Sequence, residues 1–156
     1  MSCDAAALAA TLWLASTAAA APPAETPQLT TPPSVAGEPL FVDIVRRAGE
    51  LKSETQAYEK GPLDGSLEGA RGFSAFETQV DELSKLDMQG HEVLAGRGYS
   101  DDLKCILKGI SQDLPTKLKA VETAPDAKGR RQALEDMFYL LRDNVEVITA
   151  PPKPSA

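Results

Sequence analysis

The sequence predicts an all-α fold: an antiparallel up-down-up-down four-helix bundle, preceded by a signal-like segment and a Pro-rich tether. Three observations carry that reading. Four segments place apolar residues at three- and four-residue spacing, which puts them on one face of a helix. The apolar content is 42% of 156 residues with only 5% aromatic, and it comes largely from Ala and Leu, which suit helices better than strands. No stretch alternates apolar and polar residues as a half-buried strand does, and no repeat of about 20 to 50 residues is visible.

The first segment, "PLFVDIVRRAGELKSETQAYEKG", aligns Phe41, Ile44, Val45, Ala48, Leu51 and Tyr58, and Gly61-Pro62 stops it. The second follows a Gly-rich loop with Phe73, Phe76, Val80, Leu83, Leu86, Val93 and Leu94 in line. Gly96 and Gly98 terminate it, with Gly96 expected as the left-handed cap. The third opens at "YSDD", where Ser100 is expected to cap and Asp101 and Asp102 suit the positive end of the helix dipole. Its stripe runs Leu103, Ile106, Leu107, Ile110, Leu114, Leu118 and Val121. Pro115 falls inside it, but the apolar phase continues, so one bent helix is expected. The fourth begins near Pro125 and Asp126 and aligns Ala133, Leu134, Met137, Phe138, Leu141, Val145 and Ile148, before Pro151-Pro152. Each stripe is too apolar to leave in water and too narrow for burial all round, which is the pattern of a bundle.

Charge divides the chain. From Met1 to Gly37 only Asp4 and Glu25 are charged, and every Lys and Arg lies beyond residue 45. The run Ala7 to Ala21 is uncharged and apolar, and is too short to span a bilayer comfortably. It ends in alanines and resembles the apolar core and cleavage site of a bacterial secretory signal peptide, although "MSCDAA" lacks the usual basic residues. The expected order is a signal at 1–20, a Pro-rich linker at 21–37, the bundle at 38–150 and a tail at 151–156. That order places the protein in the periplasm or outside the cell, with no transmembrane span in the mature chain. The net charge of −7 repels a phosphate backbone, so nucleic acid is excluded as a partner. The expected partner is another envelope protein.

Chemistry-bearing residues are few. "MQGHEVLAGRGYSDDLKC" holds the chain's only histidine, His91, and Cys105. A Cys and a His at one level of a helical hairpin have the composition of a nucleophile–base pair. At about 100° per residue, however, His91 falls on the flank of its stripe and Cys105 opposite its own. Asp87 lies near the centre of the second stripe, one turn before His91. An Asp87–His91 pair would satisfy a buried carboxylate, and in its sharper form is half of a metal site; the commoner arrangement is a frayed last turn that exposes Asp87 to solvent. A zinc site needs further ligands, and no second histidine exists.

In length and helix count alone the chain resembles the b-type and c′-type cytochrome bundles. That resemblance implies an axial histidine in the last helix, which here has none, and no Cys-x-x-Cys-His attachment site is present. No cofactor is therefore expected in the leading reading, and no catalytic residues are assigned. Removal of the signal would remove Cys3 and leave Cys105 as a reactive thiol or the link of a disulfide-bonded dimer. Lys117, Lys119, Lys128, Arg130 and Arg131 gather where the third and fourth helices join and form a candidate patch for an anionic partner. The leading expectation is a small exported, non-enzymatic helical protein of the bacterial envelope working through protein–protein or surface contact. The alternative is a metal- or haem-binding bundle that uses Asp87 and His91.

Overall fold

The computed structural model describes residues 34–64, 67, 72–99 and 102–150. The expected signal, residues 21–33 of the linker, the tail and the expected cap Ser100 lie outside the described residues. Among the described residues there are four helices and no strand: α1 (Pro39–Lys60), α2 (Phe73–Gly96), α3 (Leu103–Thr123) and α4 (Ala127–Thr149). The closely packed pairs are α1 with α2 and α4, and α3 with α2 and α4. α2 and α4 therefore face each other across the core.

The helix ends follow from local chemistry. Pro39 opens α1, where a missing N–H costs nothing. Gly61 closes it, its N–H bonded to the Tyr58 carbonyl at 3.0 Å. At the end of α2 the left-handed residue is Gly98, with φ +70°, and not Gly96 as the sequence suggested. Tyr99 N–H reaches back to Leu94 O and Gly98 N–H to Ala95 O, both at 3.0 Å. That two-bond closure needs the left-handed residue two positions beyond the last helical one, and Gly98 fills that position. Asp126 caps α4 by accepting the Gly129 N–H at 2.7 Å.

The core follows the four stripes, with corrections at their edges. Phe41, Ile44, Ala48, Leu51, Phe73, Phe76, Val80, Leu83, Leu94, Leu107, Leu114, Leu134, Met137 and Leu141 are buried. Val45, Tyr58, Leu86, Ile106 and Val145 are only partly buried and pack around them. Val35 was expected in the linker, yet it is buried in the core and its carbonyl accepts the Glu38 N–H at 2.9 Å. The packed domain therefore begins a few residues before Glu38. Tyr58, Phe73 and Phe76 form a three-ring cluster with centroids 5.4–5.8 Å apart.

α3 runs unbroken through Pro115. A proline cannot donate to the carbonyl four residues back, so Ser111 O loses its helical partner. Ser84 Oγ, on α2, donates to that carbonyl at 2.7 Å. The backbone defect in one helix is thus repaired by a side chain of its neighbour.

Candidate functional site

The second half of α2 carries the polar residues that reach other helices. Ser84 bonds Ser111 O, and His91 Nδ1 bonds Lys104 O at 2.7 Å. A carbonyl only accepts, so Nδ1 carries the hydrogen. Ser84 and His91 are seven residues apart on α2, and their acceptors are seven apart on α3 in the reverse order. Lys104 is itself buried, with its Nζ donating to the Tyr99 carbonyl. His91 is half-buried, and Cys105, in the first turn of α3, is half-buried rather than turned to water. No free cysteine occurs among the described residues.

Asp87 points elsewhere. It is fully buried, and Asn144 Nδ2 of α4 donates to its Oδ2 at 2.8 Å. Asn144 is also fully buried. The remaining oxygens, Asp87 Oδ1 and Asn144 Oδ1, are buried without a hydrogen-bond partner. Burial pushes the Asp87 carboxyl up to about 8, and the Asn144 hydrogen bond only partly offsets this. Burial therefore favours the neutral acid over the carboxylate. With no exposed surface, the carboxyl does not face solvent directly.

The expected Asp87–His91 pair does not form: Asp87 engages α4 and His91 engages the backbone of α3. Among the described residues no group of three or more His, Cys, Asp and Glu could hold a metal ion. Sequence reading missed Asn144. Its position was available, three residues after Leu141 and four before Ile148, on the apolar face of α4.

The basic cluster at the α3–α4 junction divides. Arg130 is buried, and its guanidinium donates to Leu63 O at 2.6 Å, Ala124 O at 3.3 Å and Val121 O at 3.4 Å. Its guanidinium serves the interior of the fold. Lys117 is paired with Asp136 at 3.0 Å, which holds that carboxyl below its usual range. Lys119, Lys128 and Arg131 remain exposed. Between the second half of α3 and the start of α4 lies an open groove of about 390 Å³, with Ala120, Gly129 and Ala133 in its lining and Lys117 and Asp136 on it.

Comparison with known proteins gives no match: no family model, no curated protein and no solved structure matches the chain.

Proposed function

We propose that the chain is a small exported helical protein of the bacterial envelope that works by protein–protein or surface contact rather than by catalysis. One observation carries the reading. Each buried polar residue of the described core makes at least one bond inside the fold, with one oxygen each of Asp87 and Asn144 left over: Thr55, Asp87, Lys104, Ser111, Arg130 and Asn144 all bond other protein groups. Interior chemistry of that kind holds helices in place, and recognition is left to the surface. Lys119, Lys128 and Arg131, exposed on α3 and α4, are the groups through which an acidic partner would be met.

The up-down-up-down course of the helices belongs to the same reading, and the reversed order of the two α2–α3 bonds supports it. So does the delivery route: a leader at 1–20, then a tether, then the bundle. No helix among the described residues is long and apolar enough to cross a membrane, which suits a released domain.

The full chain is expressed in a Gram-negative host, fractionated, weighed intact and cross-linked in the periplasm. The expected result is a periplasmic product cut behind Ala20 and lacking tryptophan, because Trp13 lies in the leader. A cross-linked partner should be lost in the Lys119→Glu, Lys128→Glu, Arg131→Glu variant. Stoichiometric haem or transition metal in the wild type, absent from His91→Ala, would overturn the proposal.

A further inference from the structure

Asp87 and Asn144 are joined across the core by one hydrogen bond, Asn144 Nδ2 to Asp87 Oδ2 at 2.8 Å. Each residue then has one oxygen left, and both leftover oxygens are buried and unpartnered. Two acceptors cannot bond each other, and buried polar atoms in native cores rarely go unpaired. A proton on Asp87 Oδ1 changes the arithmetic. A carboxylic acid and a primary amide each offer one donor and one acceptor side by side, and can close into a ring of two bonds. We propose that Asp87 and Asn144 form such a closed acid–amide pair, the Asp87 hydroxyl donating to Asn144 Oδ1, and that release of this proton to water loosens the bundle as pH rises.

The surroundings fit a neutral pair. One turn along α2, Gly90 lies against Leu107, Ile44 and Phe41, so the neighbouring layer is apolar. The charged and titratable groups on the surrounding helices are engaged elsewhere or sit outside the core. On α1, Asp43, Arg46, Arg47 and Glu50 pair among themselves and with Glu82 of α2. On α3, Lys104 bonds the Tyr99 carbonyl, and Lys108 is half-buried. On α4, Arg142 pairs with Asp143 and Glu146. On α2 itself, Lys85 and Glu92 are exposed, and His91 is held on Lys104 O. None of these charges is among the causes that shift Asp87, which are burial and the Asn144 bond.

The sign of the effect follows from proton counting. Between the ordinary carboxyl value of about 3.9 and the folded value of about 8, the folded chain holds a proton that the unfolded chain has released. Raising the pH therefore favours unfolding. The unfolding constant should grow by up to about tenfold per pH unit and level off above about pH 8.

Full-length wild type and Asp87→Asn are unfolded in urea at intervals from about pH 6 to about pH 9, below the range of Lys and Tyr titration. Asn at 87 keeps the shape and presents N–H where the acid presents O–H, so both bonds survive without a titrating proton. The wild-type unfolding constant is expected to rise about 50-fold over the two units up to about pH 8, a rise that the variant lacks. In parallel, the side-chain carboxyl carbon of Asp87 in the wild type is followed by NMR and should titrate near pH 8. A variant that tracks the wild-type slope would overturn the proposal. So would an Asp87 carbon titrating in the ordinary carboxylate range, the outcome expected if a buried water donates to both oxygens of an ionised pair. Should Asp87→Asn fail to fold, the wild-type titration decides alone.

Discussion

The two halves of α2 hold the bundle together by different physics. From Phe73 to Leu83 the helix buries Phe73, Phe76, Val80 and Leu83, and rings meet Tyr58 of α1 edge-on. From Ser84 to His91 it presents Ser84, Asp87, Gly90 and His91 to its neighbours. Apolar burial is proportional to area and tolerates sliding, because one leucine contact resembles the next. Hydrogen bonds and a missing Cβ do not tolerate sliding: they fix which turn of α2 meets which turn of α3 and α4. The first half is built for apolar burial, and the second for register.

Three substitutions probe that division. Phe76→Ala removes a fully buried ring from the aromatic cluster and should cost about 3–5 kcal/mol in urea unfolding. The residual folded population should keep its Asp87–Asn144 bond, seen as an unchanged Asn144 amide shift. Gly90→Val tests the close approach. A Cβ there would lie 3.2 Å from Leu107 Cδ1 and 3.4 Å from both Ile44 Cδ1 and Phe41 Cε1. The added branches force α1 and α3 apart at a cost of about 1–3 kcal/mol, despite the better helix propensity of valine over glycine. Ser84→Ala is expected to be the mildest. It leaves the Ser111 carbonyl, already deprived by Pro115, without its side-chain donor, for a loss of about 1 kcal/mol. Faster amide exchange confined to the middle of α3 would mark it as local. A loss as large as that of Phe76→Ala would show that the polar half carries stability as well as register.

Much of this was legible in the sequence, and the remainder was not for definite reasons. Spacing placed the four helices and most of the core, because burial of a helix is a one-dimensional pattern. It also placed Asp87 near the centre of the second stripe, but the reading favoured there, a frayed last turn open to solvent, is not what forms: Asp87 is fully buried. Its partner was misjudged. An i, i+4 pairing with His91 keeps both side chains along one helix, whereas a residue at the centre of the stripe projects across the core towards α4. Asn144 occupied a stripe position but was passed over because it is polar. Arg130, three residues before Ala133, was read as a surface charge for the same reason. The donor for the Ser111 carbonyl depends on which helix packs beside Pro115, and that is a property of the assembled fold.

Arg130 draws on carbonyls from two connections: Leu63, between α1 and α2, and Val121 with Ala124, at the close of α3. Those stretches are about sixty residues apart in the chain, yet they share one cation. Drift of either stretch takes carbonyls from a buried guanidinium that the other also bonds, so the two are coupled at this end of the domain.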